Sequence, residues 1–169
     1  MFSPLIDLTN RTEDEIIAFL YGIFKEHFID NDTYLADTIY IDPKSDDMER
    51  GMDKPKIYWH IITRKERGRR RLDRHRASRL HWIKLIILNH THQTIKLFYY
   101  YEDNGKIRLY LWAYNEDFAV ILQKIGKENS SYIVTSFYID NEHKKDVFER
   151  KYQNYCNNID DRLSGCEWF

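Results

Sequence analysis

Apolar residues recur along the chain at two different spacings, and the spacing changes near residue 56. Over residues 13–29 they follow a helical period, and this stretch opens with the capping-box sequence T-E-D-E at 12–15. One amphipathic helix is therefore predicted at 13–29. Residues 30–55 are rich in Asp and interrupted by Pro and Gly, which predicts an irregular connection with a short strand near 38–41.

From residue 57 the hydrophobic period is two, the spacing of β-strands. Runs of β-branched and aromatic residues predict strands at 57–63, 81–88, 94–101, 107–114, 118–123 and 131–139. Short connections between the strands favour antiparallel neighbours. Helical spacing returns at 142–156. The fold class predicted is α+β: an antiparallel sheet of about five to six strands with an N-terminal helix, a C-terminal helix and one face covered by helices.

Length and composition fit a single domain over residues 1–169, with an acidic helical region at 1–55 and a sheet core at 56–155. No apolar run approaches the roughly 20 residues that span a bilayer, so no membrane partner is expected. The start of the chain does not resemble a secretory signal. The two cysteines form no CxxC motif, which favours a reducing, cytoplasmic location.

Positive charge is concentrated in one segment, although the net charge of the chain is −1. Residues 64–79 hold nine Lys or Arg and two acids, whereas residues 1–55 hold thirteen acids and five bases. A local positive field of this kind attracts polyanions, with nucleic acid the first candidate. We expect the basic segment to be a loop that contacts RNA, and the acidic region to lie across it in the resting protein.

Bases of RNA can stack on aromatic rings while arginines hold the phosphates. In the strand at 107–114, Arg108 and three aromatic residues alternate with apolar ones, so the two kinds of side chain lie on opposite faces. The apolar face is expected to meet a helix, leaving the aromatic face open. The predicted RNA-binding residues are Arg64, Arg69, Arg70, Arg71, Arg74, Arg108, Tyr110 and Trp112.

RNA cleavage without metal needs a base for the ribose 2′-OH, a cation for the phosphate and an acid for the leaving 5′-oxygen. His60 suits the first or third role, because the ordinary histidine pKa of about 6.5 lies near physiological pH. Arginine suits the second role, because its planar fork can hold two phosphate oxygens. No cofactor or metal is expected; His90 and His92 form an H-x-H pair without a nearby third ligand, which favours a surface turn.

Each candidate also has a structural interpretation. His60 fits a packed histidine about equally well, and Tyr110, Trp112 and Tyr138 fit core packing. The basic segment also fits a solvated helix face or a docking patch for the acidic region.

Several of these features follow one another in the order seen in a known family. After His60 the Arg-rich stretch ends R-x-R-A-x-R-L-x-W at 74–82, followed by a hairpin with Gly105, the strand LYLW at 109–112 and the strand YIVTSFYID at 132–140. Over about residues 56–152 this order resembles the phage- and toxin-associated nucleases of the barnase–EndoU–colicin–RelE-like superfamily. The acidic N-terminal third lies outside the resemblance.

The resemblance implies a nuclease-like sheet core that cleaves RNA, often tRNA or mRNA, without metal and leaves a cyclic phosphate. It implies a histidine, arginines and a Ser or Thr of the last strand, here His60, Arg76 or Arg79, and Thr135 or Ser136. The family's V-T-x-Y/F pattern points to Thr135, whereas Ser136 shares the more polar strand face with Tyr138. Members occur as toxins, which would suit a cognate inhibitor protein as partner.

These observations together predict a metal-independent endoribonuclease that acts as a toxin or defence effector. Two other classes stay open: a non-catalytic nucleic-acid-binding module, and a protein–protein module such as an inhibitor or immunity protein. The predicted catalytic residues are His60, Arg76, Arg79, Thr135, Ser136 and Tyr138.

Overall fold

A computed structural model describes residues 1–50 and 52–169, and its fold is α+β. The helices are α1 (Glu13–Phe28), α2 (Lys56–Ile62), α3 (Arg74–Ala77), α4 (Leu80–Leu88) and α5 (Glu142–Cys156). The strands are β1 (Tyr34–Leu35), β2 (Ile39–Ile41), β3 (Thr63–Glu66), β4 (Arg69–Leu72), β5 (Ile95–Tyr101), β6 (Ile107–Ala113), β7 (Phe118–Lys124) and β8 (Ser130–Tyr138). Six strands form a sheet in the order β1-β2-β8-β7-β6-β5, and β3 pairs with β4 in a separate ribbon.

The structure confirms the two terminal helices and the four strands predicted between residues 94 and 139. At the start of α1 the Glu15 amide donates to the Thr12 hydroxyl at 3.3 Å, and the Thr12 amide donates to the Glu15 carboxylate at 2.8 Å. This reciprocal pair satisfies two amides that a helix start leaves without partners. The short strand predicted near 38–41 is β2.

The strands predicted at 57–63 and 81–88 are wrong, because these residues form α2, the first residue of β3, and α4. Apolar residues are so frequent in both segments that they fit the helical period as well as the strand period. In α4, Leu80, Ile83 and Ile87 are buried at helical spacing, and α2 buries five of its seven residues. Period alone does not separate a short buried helix from a strand.

Helices cover both faces of the sheet, so the prediction of one covered face is wrong. On one face α1, α2 and α4 pack against strand residues that include Leu111, Val120 and Leu122. On the other, Phe148 of α5 packs against the aromatic side chains of β5 and β6. Side chains of α1, β1 and β2 belong to the larger of these two cores, so the acidic N-terminal region is built into the same structure as the sheet. No helix in the described part of the chain is long and apolar enough to cross a membrane.

One edge of the sheet is only partly paired. β8 pairs antiparallel with β7 along its length, whereas β2 reaches it only through parallel pairs of Tyr40 with Ser130 and Ile41 with Ser131. Beyond Ser131, α2 and α3 pack against β8. Residues 134–138 therefore form a strand edge that faces helices.

Candidate nucleic-acid interface

The basic segment predicted to be a loop is mainly a β-hairpin. Residues 63–72, here called the basic ribbon, consist of β3, a two-residue turn and β4. The turn residues Arg67 and Gly68 have φ of 47° and 81°, the left-handed geometry that matches the twist of a two-residue hairpin. All six basic side chains of the ribbon are exposed: Arg64, Lys65, Arg67, Arg69, Arg70 and Arg71.

Like charges lie directly opposite each other across the basic ribbon. Arg64 pairs with Arg71 and Lys65 with Arg70, an arrangement that opposes strand pairing. The one acid, Glu66, lies 3.6 Å from the Arg64 guanidinium and 3.7 Å from that of Arg71. One carboxylate shared by two arginines leaves most of the positive charge uncompensated, so the ribbon presents a cationic surface to solvent.

Arg76 joins the end of α2 to the start of α3. Its Nη1 donates to the backbone oxygens of Thr63 at 3.0 Å and His60 at 3.4 Å, while its Nε lies 3.3 Å from the Asp73 carboxylate. Asp73 is also the N-cap of α3, accepting from the amides of His75 and Arg76. The Arg76 guanidinium is therefore fixed in position, with 20% of the side chain exposed.

His60 lies on α2 beside the part of the β8 edge that β2 does not pair, and it has a backbone hydrogen bond with Val134 there. Burial and the nearby positive charge of Arg70 lower the pKa of His60, and Glu49 and a backbone hydrogen bond with Val134 raise it less strongly. The net direction is down from the ordinary value of 6.5, so the imidazole is neutral at pH 7. A neutral imidazole is the form that can accept a proton.

Thr135 and Ser136 point to opposite faces of β8, as their alternation predicts. Thr135 pairs with Ile121 on the α5 side and is partly exposed, whereas Ser136 pairs with Val120 on the other side and is fully buried. The Ser136 hydroxyl has no hydrogen-bond partner in the described part of the chain. Of the two residues, only Thr135 is partly exposed, and its hydroxyl donates to the Ser136 backbone oxygen at 3.4 Å.

Arg79 is a buried residue that holds a stack of side chains together. Only 9% exposed, it donates from Nη1 to the His75 backbone oxygen at 2.7 Å and lies with its guanidinium 4.3 Å from the centre of the Tyr138 ring. The other neighbour of Tyr138 is the His75 imidazole, stacked at 5.5 Å. Arg79 thus positions Tyr138 and His75, and Arg76 is the more accessible of the two arginines.

The aromatic face of β6 is closed, contrary to the prediction that it is open to RNA. Tyr110 and Trp112 are 4% and 3% exposed, because α5 covers them through Phe148. The Tyr110 hydroxyl donates to Glu102 at 2.5 Å, and the Arg108 guanidinium lies 3.8 Å from the same carboxylate. These three residues stabilise the second core and do not form a surface for RNA bases.

Among the remaining candidates, Arg74 is exposed and its Nη1 donates to the Leu8 backbone oxygen at 3.0 Å. The acidic region does not lie across the ribbon as a whole: Glu13, Asp14 and Glu49 share one cavity with Arg70. The sequence reasoning missed His75 and Asp73. An Asp directly before R-H-R is a helix N-cap signal, which could have identified Asp73 and the start of α3.

Within residues 1–50 and 52–169, no three His, Cys, Asp or Glu side chains form a cluster with metal-binding geometry. His90 and His92 lie in the turn between α4 and β5, where each bonds a neighbour within three residues. Comparison of the chain with protein-family models, with curated proteins and with solved structures gives no significant match.

Proposed function

We propose that the protein is a metal-independent endoribonuclease that cleaves RNA through attack of the ribose 2′-OH, leaving a 2′,3′-cyclic phosphate. One observation carries the proposal: beside the basic ribbon, His60 and Arg76 both lie against β8, His60 through a backbone hydrogen bond with Val134 and Arg76 with its guanidinium 5.8 Å from the centre of the Phe137 ring. His60 comes from α2, Arg76 from α3 and Thr135 from β8 itself. A histidine, a guanidinium and a hydroxyl supply a base, a phosphate ligand and a positioning group.

In this proposal neutral His60 takes the proton of the 2′-OH. Arg76 binds the scissile phosphate through the part of its guanidinium that Asp73 and the backbone oxygens of His60 and Thr63 leave free, and the Thr135 hydroxyl positions a phosphate oxygen. His75, exposed on α3 and adjacent to Arg76, is the candidate that protonates the leaving 5′-oxygen. The basic ribbon holds the RNA backbone on either side of the cleavage point.

Purified protein incubated with total RNA in EDTA tests this mechanism, with 2′,3′-cyclic ends as the diagnostic product. We expect His60→Ala to lower the cleavage rate by about 10²- to 10⁴-fold, the range for loss of a general acid or base. Thr135→Val, which keeps the shape and removes the hydroxyl, is expected to slow cleavage less. The matched control is His143→Ala, which removes an exposed histidine of α5. Equal cleavage by wild type and His60→Ala excludes His60 as the base.

The second candidate is a non-catalytic nucleic-acid-binding module. The observation that favours it is the basic ribbon, whose exposed cations are suited to bind phosphates without any catalytic group. RNA that is bound with steep salt dependence and recovered intact from folded wild-type protein would establish this function and exclude the nuclease. If folded wild-type protein neither binds nor cuts RNA, the protein–protein module is the remaining candidate function.

A toxin or defence role extends the nuclease proposal to the cell, and a cognate inhibitor protein would be its natural partner. Growth arrest on expression that His60→Ala relieves, and His143→Ala does not, is the expected result. Growth arrest by the wild type and by both variants would show that the toxicity does not depend on His60.

A further inference from the structure

His75 is an exposed residue whose backbone and side chain are both held in place. Its amide donates to the Asp73 carboxylate at 3.0 Å. Its backbone oxygen accepts from Arg79 Nη1 at 2.7 Å and from the Ser78 hydroxyl at 3.4 Å. Its imidazole stacks on the Tyr138 ring, with the two ring centres 5.5 Å apart and their planes 18° from parallel. An exposed histidine ordinarily keeps its freedom to rotate, so this one is unusually well fixed.

Tyr138 is held in turn by Arg79. The Arg79 guanidinium lies over the Tyr138 ring, 4.3 Å from the ring centre, and Arg79 is itself buried. Arg79 therefore acts on His75 twice, through a hydrogen bond to its backbone and through the ring on which its imidazole stacks. The three side chains form one connected group, here called the Tyr138 stack.

The Tyr138 stack lies beside the proposed phosphate ligand. Two consecutive residues of α3 contact two consecutive residues of β8: His75 stacks on Tyr138, and the Arg76 guanidinium lies 5.8 Å from the centre of the Phe137 ring. The same helix and the same strand thus carry both the stack and Arg76.

The order of contacts along β8 suits a displacement at phosphorus. His60 bonds to β8 at Val134, Arg76 lies against residue 137, and His75 lies against residue 138. The contact of Arg76 therefore falls between those of the two histidines. In an in-line displacement the attacking and leaving oxygens lie on opposite sides of phosphorus, so a base and an acid are needed on either side of the phosphate ligand.

We infer that Tyr138 and Arg79 are positioning residues for His75, which hold its imidazole in the orientation that protonates the leaving 5′-oxygen. The inference rests on the proposed function. In that step the 2′-oxygen bonds to phosphorus and the bond from phosphorus to the 5′-oxygen breaks. The proton of the 2′-OH goes to neutral His60, and protonated His75 gives its proton to the 5′-oxygen.

Position matters for this role because proton transfer requires the nitrogen and the oxygen to be about 2.6–3.2 Å apart. A free imidazole on the surface rotates about two side-chain bonds, whereas a stacked one keeps its plane. The flat ring of Tyr138 supplies this restraint, and its hydroxyl is not required. The inference thus gives Tyr138 and Arg79 roles different from the direct catalytic ones that were predicted from sequence.

Two substrates with different leaving groups test the inference, because only one of them needs an acid. RNA releases a 5′-oxygen that must be protonated, whereas a nucleoside 3′-(4-nitrophenyl phosphate) releases 4-nitrophenolate, which leaves without a proton. Both need a base for the 2′-OH. The readout is the rate of RNA cleavage divided by the rate of ester cleavage, with an equal mixture of the four nucleoside esters. An unfolded fraction of a variant lowers both rates alike and leaves this ratio unchanged.

His75→Ala should lower the ratio by about 10²- to 10⁴-fold, the range for loss of a general acid. Tyr138→Leu and Arg79→Met should each lower it by about tenfold to a hundredfold, the effect of a misplaced catalytic group. Tyr138→Phe keeps the flat ring and should restore most of the ratio. The matched control is Tyr34→Leu, which changes an exposed tyrosine of β1 and should keep the wild-type ratio.

A wild-type ratio in Tyr138→Leu and Arg79→Met, or an equal loss on both substrates in His75→Ala, overturns the inference and leaves the nuclease. A loss in Tyr138→Phe as large as in Tyr138→Leu also overturns it, because the hydroxyl would then be the group that acts. A lower ratio in Tyr34→Leu has the same meaning. Wild-type protein that leaves both RNA and the esters intact overturns the proposed function together with the inference.

Discussion

The basic ribbon allows a quantitative prediction for the salt dependence of RNA binding. Lys65, Arg67 and Arg69 are exposed, and no described carboxylate forms an ion pair with them. Arg64 and Arg71 share Glu66, and Arg70 lines the cavity. Changing the first three residues to Ala therefore removes the ribbon's freest cations.

Each contact with a phosphate of single-stranded RNA contributes about 0.7 to the slope of log K against log salt. Three lost contacts lower that slope by about 2, because 3 × 0.7 is about 2.1. Between 50 and 200 mM salt, the wild type should then lose about twentyfold more affinity than the variant. The ribbon itself should persist, because the variant keeps Gly68 in the turn and removes the repulsion between Lys65 and Arg70.

The assay is fluorescence anisotropy with 2′-O-methyl RNA at several KCl concentrations. A control of equal charge changes Lys106, Lys127 and Arg150 to Ala, all exposed and outside the ribbon. We expect this control to keep the wild-type slope. An unchanged slope in the ribbon variant, or an equal decrease in the control, would refute the assignment of the ribbon as the RNA-binding surface.

Three further predictions concern stability, each measured by urea unfolding. Phe148→Ala should lower the free energy of unfolding by about 3–5 kcal/mol, because this side chain fills the core between α5 and the sheet. A decrease below about 1 kcal/mol would contradict the packing of α5 on the sheet. Thr12→Ala should cost about 1 kcal/mol through loss of the capping box, and an unchanged midpoint would contradict that geometry. Burial lowers the pKa values of His27, His60 and His81 from 6.5, so below that pH the unfolded chain takes up protons that the folded chain does not. The free energy of unfolding should therefore fall as the pH drops from 7.5 to 5.5. A free energy that does not change with pH over this range would count against the burial of these histidines.

The elements that could be predicted from sequence are those with an independent boundary signal. The helix at 13–28 has its capping box, and the strands from β5 to β8 are separated by turn residues. The helices α2 and α4 were missed because isoleucine and aromatic residues favour strands locally, while packing on the sheet decided the outcome. Pro55, at the N-cap of α2, was a usable helix-start signal.

The candidate site, like the fold, could be predicted from sequence only in part. The identities of His60, Arg76 and Thr135 came from the chemistry and the resemblance, but the packing of His60 and Arg76 against β8 depends on tertiary structure. The error at Tyr110 and Trp112 arose because alternation shows which residues share a face, and does not show whether a distant helix covers it. The cavity that Glu13, Asp14 and Glu49 share with Arg70 was not visible from sequence, since these residues come from separate parts of the chain.

The parallel pairing of β2 with β8 has a consequence for how the chain folds. Tyr40 pairs with Ser130, so the partner of β2 is synthesised 90 residues later. Closing so long a loop costs entropy and slows folding relative to local contacts. On the ribosome, β2 would lack this sheet partner until β8 emerges, which makes the nascent N-terminal third a natural client for chaperones.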